Sequence, residues 1–381
     1  MINVVILQHR LLHYRVALFN GLRESLEKNG VNLVLVHGQA SEQESKRKDE
    51  AELTWAHKVK NLFYNVGNVD LLWQPVTSVV NNCDLCVVMQ ENRIISNYIV
   101  MLRSLFGRYK VAYWGHGRNY QSYQPSGLRE KWKSWLLKRV DWWFAYTDIT
   151  ANLLLDAGYD KHKITNLENA IDVTGFQNEL NSVTTEEMVK VKHALSIEPN
   201  SRVAIFCGSL YPEKKIDLLL ASADMISNHV ENFHLIVIGD GPSFPVLSAA
   251  AESRPWLHCV GVKKGHDKAV LFKLGLVQLN PGLVGLHILD AFSAGLPMIT
   301  TSTAMHSPEI AYLKNGINGI VVDGDTVNDY AAAVINLLND DISRNEISSA
   351  CLASAEHYTV ENMVNNFSTG IIDCLKTYGY L

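Results

Sequence analysis

Short apolar runs alternate with longer stretches of helical periodicity along the chain, and the alternation begins a second time after residue 200. In the first half, the strand-like runs fall at residues 4–7, 33–36, 85–89, 110–113, 143–146 and 163–167. In the second half, they fall at residues 203–207, 234–238, 257–260, 276–279, 297–300 and 319–322. Strands that alternate with helices form βαβ units around a parallel sheet. We therefore predict an α/β chain with two Rossmann-like, doubly wound domains.

A polar stretch separates the two patterns, and within it Thr184 to Glu187 is typical of a helix start with carboxylates in its first turn. The predicted organisation is an N-terminal domain at 1–172, a linker at 173–199, a C-terminal domain at 200–355 and a helical segment at 356–381 that packs by its apolar face. Ligands of doubly wound folds bind beyond the carboxyl ends of the strands. A cleft between two facing domains is therefore the expected ligand site.

Composition excludes several classes of protein. Of the 381 residues, 47% are hydrophobic and 19% charged, which is typical of a globular chain and argues against disorder. The most apolar stretch, 94–106, is interrupted by Ser96, Asn97 and Arg103, so we predict no transmembrane helix; without a secretory signal, we expect a cytoplasmic protein. The six scattered cysteines lack the spacing of a zinc site, and we predict free thiols and no metal.

The net charge of −5 conceals an asymmetry. Residues 1–150 contain 19 Lys and Arg against 13 Asp and Glu, a charge of +6, whereas residues 151–381 contain 15 against 26, a charge of −11. The basic half predicts an anionic partner, either a phosphate-bearing acceptor or a membrane surface; a merely solvated surface is the alternative. Residues 129–139 mix basic side chains with Trp132 and Trp135, which fits either a core-facing helix with a basic edge or a helix on a membrane surface.

One candidate anion site follows the strand at 203–207. Gly208 ends this strand, and Ser209, Lys214 and Lys215 lie in the loop before the next helix. Glycine allows the backbone to approach a ligand closely, and lysines in such a loop can reach a diphosphate. A pair of surface lysines would give the same pattern.

A second candidate anion site follows the strand at 276–279. A turn with Gly282 and Gly285 opens a helix, and the amides near Gly285 and Leu286 are expected to be free to bind an anion with help from the helix dipole. Asp290 lies one turn further along among apolar residues. A carboxylate in such surroundings needs a partner, and sugar hydroxyls are suitable partners.

Taken together, these segments resemble glycosyltransferase family 4, whose members are retaining enzymes with the GT-B fold. The family pattern G-R-L-x-x-x-K-G is similar to residues 208–215, and E-G-x-G-L-x-x-x-E-A-x-A-x-G-x-P is similar to residues 282–297. Three further matches are in the expected order: G-x-G-P at 239–242, N-x-x-D at 169–172, and a downstream pattern at 307–309 and 315–319.

The resemblance implies a nucleoside diphosphate sugar as donor, no cofactor and no metal. It implies donor contacts from Gly208, Ser209, Lys214, Lys215, Gly239, Gly241, Gly282, Leu283, Val284, Gly285, Leu286 and Asp290. Within this set, Lys214 is expected on the diphosphate and Asp290 on the ribose. Two positions depart from the family, because Ser209 replaces the arginine that pairs with the diphosphate and Gly282 replaces the first of two acids. Lys215 replaces a family glycine and is a candidate for the missing charge.

In the N-terminal domain, His116 lies between two glycines after a strand and resembles the family histidine near the transferred sugar; a loop-structural role is the alternative. We predict catalytic roles for His116 and Asp290. The loop after the first strand contains His13, Tyr14 and Arg15, and its Tyr-Arg pair resembles bacterial polysaccharide transferases. These three residues and Arg118 are the predicted acceptor-side contacts.

The resemblance implies a metal-independent glycosyltransferase of bacterial capsule, O-antigen or exopolysaccharide synthesis. The expected partners are a nucleotide-sugar donor and a lipid-linked or saccharide acceptor, met at the cytoplasmic face of the inner membrane by a peripheral contact, with no role for nucleic acid. Two alternatives remain open. One is a sugar-nucleotide epimerase on the same fold, against which the absence of an acid at Gly282 argues. The other is a non-catalytic nucleotide-sugar-binding subunit, which the changes at Ser209 and Gly282 motivate.

Overall fold

The computed structural model describes residues 1–45, 49–66, 69–107, 109–117 and 137–381. These residues form two compact units, of which unit 1 comprises Met1–Ile171 with Val360–Leu381 and unit 2 comprises Asp172–Thr359. Each unit contains a parallel sheet with helices, which confirms the predicted α/β class. In the described part of the chain, no helix is both long enough and apolar enough to cross a bilayer. All six cysteines are free thiols.

Unit 1 is organised around one parallel sheet and a short antiparallel hairpin. The strands are β1 (Ile2–Gln8), β2 (Val31–His37), β3 (His57–Lys58), β4 (Leu62–Val66), β5 (Val69–Trp73), β6 (Leu85–Met89), β7 (Lys110–Gly115), β8 (Trp142–Ala145) and β9 (Ile164–Asn166). The sheet order is β3-β2-β1-β6-β7-β8-β9 with every pairing parallel, and β4 pairs with β5. The helices are α1 (Val16–Glu27), α2 (Glu42–Ser45), α3 (Thr77–Val80), α4 (Ile95–Ser104), α5 (Asp148–Asp156) and, at the C-terminal end, α14 (Val360–Thr377).

Helix α14 completes the core of unit 1, although it follows unit 2 in sequence. Its Phe367 contacts Trp114 with ring centroids 5.0 Å apart, and α14 packs against α1. A Cβ atom at Gly370 would lie 2.3 Å from Oγ1 of Thr165, so a glycine is needed for this close approach. The predicted packing of the last helix by its apolar face is confirmed.

Unit 2 contains the second parallel sheet. Its strands are β10 (Arg202–Cys207), β11 (Phe233–Ile238), β12 (Leu257–Gly261), β13 (Val277–Leu279), β14 (Met298–Thr301) and β15 (Gly319–Val322). Its helices are α6 (Val173–Ser182), α7 (Thr185–Ala194), α8 (Ile216–Ser227), α9 (Phe244–Ala251), α10 (Gly265–Leu274), α11 (His287–Ser293), α12 (Val327–Asn339) and α13 (Asp341–His357). The order β12-β11-β10-β13-β14-β15 is that of a dinucleotide-binding fold, and it reverses between β10 and β13.

The structure differs from the predicted linker at residues 173–199, which forms α6 and α7 within unit 2. These helices fold here because the segment has both caps and an apolar face. Asp172 caps α6 by accepting a hydrogen bond from the amide of Gly175, and the ring of Phe176 packs on that of Phe272 at 5.4 Å. The predicted helix start is confirmed, since Thr184 and Glu187 form a capping box.

Candidate functional site

The loops that follow β10 and β13 contact each other at the point where the strand order of unit 2 reverses. The amide of Leu283 donates to the carbonyl oxygen of Glu213 across 2.9 Å. The side-chain nitrogen of Lys214 donates to the carbonyl oxygen of Leu283 across 2.6 Å. The two segments that the sequence analysis singled out are therefore joined directly, at the position where doubly wound sheets bind ligands.

Lys214 is buried beneath these two loops. Besides its bond to Leu283, Nζ lies 3.4 Å from Oδ1 of Asn280 and 3.4 Å from Nε2 of His287. Burial lowers the pKa of Lys214 to about 7, because a buried ammonium without a carboxylate partner loses its hydration. The structure thus holds a lysine that a nearby anion would convert to its charged form.

Asn280 and His287 were not identified from the sequence. The Nδ2 atom of Asn280 donates to the carbonyl oxygens of Gly282 and Leu283, at 3.0 and 3.1 Å, and so fixes the course of the loop. Burial, followed by the charge of Lys214, holds the pKa of His287 well below its ordinary value, so its imidazole is neutral and accepts from Lys214. Asn280 could have been predicted as a site residue because it is a polar residue directly after β13. The residues around His287 give no such indication.

Gly282 occupies a position where no side chain fits. A Cβ atom there would lie 2.3 Å from the carbonyl oxygen of Glu213 and 2.3 Å from the carbonyl carbon of Lys214. Both atoms belong to the backbone, which cannot move aside as a flexible side chain can. The absence of the first family acid is therefore built into the way the two loops pack. At Gly285, by contrast, the nearest atom to a Cβ would be Oγ of Ser307 at 3.7 Å.

The turn that leads into α11 leaves unbonded the two amides that the sequence predicts for an anion. The amide of Leu283 is bonded to Glu213, and the amide of Val284 donates to Nδ1 of His306 across 3.1 Å. Across the described residues, the amides of Gly285 and Leu286 make no hydrogen bond. These two amides are therefore left to receive an anion.

Asp290 is buried as predicted, but its partner is a lysine of the protein. Nζ of Lys268 lies 2.6 Å from Oδ1 of Asp290 and 4.3 Å from the ring centroid of Phe176. Burial lowers the pKa of Lys268, but the charge of Asp290, the neighbouring Cys207 and the hydrogen bond to Asp290 together raise it above its ordinary value. Lys268 was missed because its partner is distant in sequence and its helix carries no glycosyltransferase signature.

Lys215 and Ser209 lie in the same loop as Lys214 but do not contact the groups that Lys214 contacts. Nζ of Lys215 lies 2.8 Å from Oγ1 of Thr303 and 3.3 Å from Oδ2 of Asp325, towards the loops that follow β14 and β15. Lys215 has a φ of 52°, a left-handed conformation that explains why the family favours glycine at this position. Ser209 is exposed in the same loop. The suggestion that Lys215 supplies the missing charge therefore has no support from its placement.

Gly239 and Gly241 bring a third loop against the loop after β10. A Cβ atom at Gly239 would lie 1.9 Å from the carbonyl oxygen of Gly208, and one at Gly241 would lie 2.8 Å from the amide nitrogen of Leu210. The amide of Leu210 donates to the carbonyl oxygen of Asp240 across 2.9 Å. These glycines are thus required for loop packing, whatever contact they make with a ligand.

In unit 1, His116 is exposed at the end of β7, as predicted. Its ring packs edge-on against Tyr146 with centroids 4.4 Å apart. The neighbouring Gly117 has a φ of 73°, and its amide donates to Oε1 of Gln90 across 2.9 Å. This bond holds the loop in place. Arg118 lies outside the described residues, as do Trp132 and Trp135.

The predicted acceptor-side residues of the first loop are placed differently from one another. His13 is exposed and Tyr14 is half-buried. Arg15 is buried; it donates to Oδ1 of Asn169 across 2.7 Å, and its guanidinium lies 5.0 Å from the ring centroid of Trp114. Arg15 therefore connects the first loop to the interior of unit 1, and its role as an acceptor contact stays a prediction.

A charged cluster at the carboxyl ends of β1 and β6 was also missed. It consists of His9, Glu44, Glu91 and Arg93. Arg93 lies 2.8 Å from Glu44 and 2.9 Å from Glu91, and His9 lies 3.4 Å from Glu44. The hydrogen bond with His9, with further help from the amide of Ser41 and from Arg93, holds the pKa of Glu44 well below its usual range. Among the residues that the structure describes, no group of three or more His, Cys, Asp or Glu is arranged to hold a metal ion.

The chain matches known proteins both in sequence and in fold, and the sequence matches cover only part of it. Residues 201–340 match the family model of glycosyl transferases group 1. The chain is 30% identical over 146 residues to alpha-monoglucosyldiacylglycerol synthase of Acholeplasma laidlawii, covering 36% of each chain. It is 27% identical over 167 residues to O-antigen chain mannosyltransferase B of Escherichia coli, covering 42% of each. The aligned part is therefore well under half the length of either relative.

A solved structure extends the likeness to nearly the whole chain. The crystal structure of Anabaena HepE in complex with UDP superposes with a TM-score of 0.69 at 14% identity, and the match covers 98% of this chain and 100% of the Anabaena chain. Because the sequence identity is only 14%, this structural similarity shows a shared fold and no more.

Proposed function

Because the chain has the GT-B fold and carries a glycosyl transferases group 1 domain at residues 201–340, we propose that it transfers a sugar from a nucleoside diphosphate sugar to an acceptor hydroxyl. The observation that carries this proposal is the buried Lys214 held between the loops that follow β10 and β13. A lysine with lowered pKa and two unbonded amides in one loop cluster is suited to a diphosphate.

In the proposed reaction, cleavage of the bond to the donor sugar leaves negative charge on the diphosphate. Lys214 and the amides of Gly285 and Leu286 stabilise that charge as it develops, because they are already in position before the reaction begins. His287 and Asn280 act through Lys214 by holding its ammonium in place. No cofactor and no metal takes part in this scheme.

Asp290 is proposed to accept hydrogen bonds from the ribose. Its ion pair with Lys268 offsets the cost of burying the carboxylate and leaves oxygen lone pairs for further bonds. Lys268 is thus a positioning residue for Asp290. Family resemblance supports transfer with retention and a place for His116 beside the transferred sugar, with His13, Tyr14 and Arg118 on the acceptor side.

The comparisons favour particular substrates. The UDP complex of the Anabaena protein favours a uridine nucleotide as donor. The names of the Acholeplasma and Escherichia coli relatives support a lipid-linked or polysaccharide acceptor. We place the reaction in bacterial surface-polysaccharide synthesis at the cytoplasmic face of the inner membrane.

The test has two stages. A thermal-shift screen with UDP-, GDP- and dTDP-sugars identifies the donor, and the preferred donor is then incubated with lipid-linked and free saccharide acceptors in the presence of EDTA. Transfer of the sugar to an acceptor is the expected result. Interconversion of the donor sugar without acceptor would instead indicate an epimerase. Donor binding without turnover on any acceptor would indicate a non-catalytic binding subunit.

A further inference from the structure

Helix α4 of unit 1 buries Ser96 and Asn97 together with Val100 and Met101, and it exposes further large apolar side chains. Ser96 and Asn97 are buried, with Oγ of Ser96 accepting from the amide of Gln74 across 3.3 Å and Nδ2 of Asn97 donating to the carbonyl oxygen of Met89 across 2.8 Å. The polar residues that interrupt this apolar segment are thus satisfied inside the protein. The outward face is left to the apolar side chains.

That outward face, here named the α4 surface, consists of Ile99, Leu102, Leu105 and Phe106. Their exposed fractions are 37%, 54%, 77% and 76%. Because they are three or four positions apart, they fall on one side of the helix and of the turn that continues it. Such a group of adjacent exposed apolar side chains is uncommon on a protein that has no partner there.

The charge of the sequence that contains α4 and of Arg103 on the helix itself indicates which kind of partner fits the α4 surface. From Asn92 to Arg129 the sequence has six Lys or Arg and no Asp or Glu. Of those described, Arg93 is paired with two glutamates and Lys110 with Asp141. Arg103, on α4 itself, donates to the neutral side chain of Asn81 across 2.6 Å and keeps its positive charge uncompensated.

An apolar face with an uncompensated cation fits an anionic bilayer surface better than a second copy of the chain. A symmetric dimer formed through the α4 surface would bring two copies of Arg103 together. A membrane surface accepts the apolar side chains at the acyl boundary, while its anionic headgroups attract the basic residues. We infer that the α4 surface inserts into the headgroup region of membranes that contain anionic lipids. This inference does not depend on the proposed transfer reaction.

The experiment is co-sedimentation of the full chain with phosphatidylcholine vesicles, with and without phosphatidylglycerol. The test variant is Leu105→Ser/Phe106→Ser, whose side chains are exposed, so that folding is expected to persist. The control is Val189→Ser/Ile342→Ser, which removes exposed apolar side chains of similar exposure from unit 2. Melting temperatures establish that both variants are folded, and analytical ultracentrifugation reports self-association.

The wild type and the control are expected to bind vesicles that contain phosphatidylglycerol, and less so as salt is raised. The test variant is expected to bind at least about tenfold more weakly, because two large apolar side chains no longer insert. Arg103→Gln is expected to weaken binding to anionic vesicles and to leave the weaker binding to pure phosphatidylcholine unchanged. Absence of vesicle binding by the wild type, or equal binding by the test variant, would overturn the inference. So would a wild-type dimer that the test variant abolishes, since the α4 surface would then belong to a second copy.

Discussion

Nζ of Lys214 lies 2.6 Å from the carbonyl oxygen of Leu283, and this bond ties the loop after β10 to the loop after β13. The lysine has no carboxylate partner among the contacts described for it, which are two oxygens and an imidazole nitrogen. Its charge is therefore available to a ligand at the reversal of the strand order.

Replacing Lys214 should weaken nucleoside diphosphate binding. We expect Lys214→Met to lose about 1.5–3 kcal/mol of binding free energy, the range for a hydrogen bond with a charged partner. Isothermal titration calorimetry with UDP, GDP and dTDP measures the change.

The neighbouring lysine provides the control. Lys215→Gly removes the same charge from the same loop and relieves a left-handed backbone, while the contacts of Lys214 stay intact. Its affinity for the nucleotide should remain close to that of the wild type. If the two variants lose affinity equally, the placement of Lys215 away from the ligand is wrong.

Binding should also depend on pH through Lys214. With a pKa of about 7 in the free protein, this lysine is mostly neutral above pH 7, and a bound diphosphate favours its charged form. Binding then takes up a proton, so affinity should fall as pH rises from 7 to 9, approaching about tenfold per unit, and level off below pH 7. Titrations in HEPES and Tris, whose ionisation enthalpies differ, measure the proton uptake. Lys214→Met should remove it; a wild-type affinity that does not change from pH 7 to 9 would contradict the lowered pKa.

The lowered pKa of Lys214 also affects folding, but stability changes with pH in the direction opposite to nucleotide affinity. The unfolded lysine has an ordinary pKa near 10.5, so between about pH 7 and that value the unfolded chain binds more protons than the folded one. Lys214 therefore makes the free energy of unfolding rise with pH over that window. Below pH 7, the destabilisation caused by burying the charged lysine is present in full.

Position 282 should reject even a small side chain. Gly282→Ala places a Cβ atom against the backbone of Glu213 and Lys214, and we expect a loss of about 1–3 kcal/mol in the free energy of unfolding. Gly285→Ala meets only an ordinary contact and should change stability by less than about 0.5 kcal/mol. Urea unfolding compares the two, and equal stability would show that the loops are packed less tightly than described.

The buried pair of Asp290 and Lys268 should show strong coupling. Asp290→Asn leaves the largely buried ammonium of Lys268 without its carboxylate, and we expect a loss of about 3 kcal/mol in stability. Lys268→Met should cost a similar amount, whereas the double variant should lose at least about 1 kcal/mol less than the sum of the two. Additive losses would mean that the two side chains do not interact. Donor turnover should fall in Asp290→Asn; unchanged turnover would remove the proposed ribose contact.

The two sheets could be predicted because each central strand is a short run of apolar residues buried on both faces, as in β10 and β11. The loops of Lys214 and Gly282 could be placed together for the same reason, since the carboxyl ends of neighbouring parallel strands lie at one edge. The period of the apolar pattern and the order of the strands suffice to place these two loops.

Pairings between distant side chains could not be predicted in this way. The ion pair of Lys268 with Asp290 and the bond of Arg15 to Asn169 depend on how helices pack, which residue spacing does not encode. Residues 173–199 are predicted as a linker because their composition is polar; the capping box of α7 and the one buried phenylalanine of α6 do not show from sequence alone that both helices belong to unit 2. The unit against which α14 packs could not be predicted either, since the amphipathic pattern of this helix indicates a buried face without indicating which unit buries it.

Because α14 belongs to unit 1 but follows unit 2, the N-terminal unit cannot be completed during synthesis until residues 360–377 have left the ribosome. The surface of α1 that α14 covers stays open while residues 172–359 are made and fold. A nascent chain stalled before Val360 would therefore hold a finished second unit beside an unfinished first one, which is the interval in which chaperones would have most to bind.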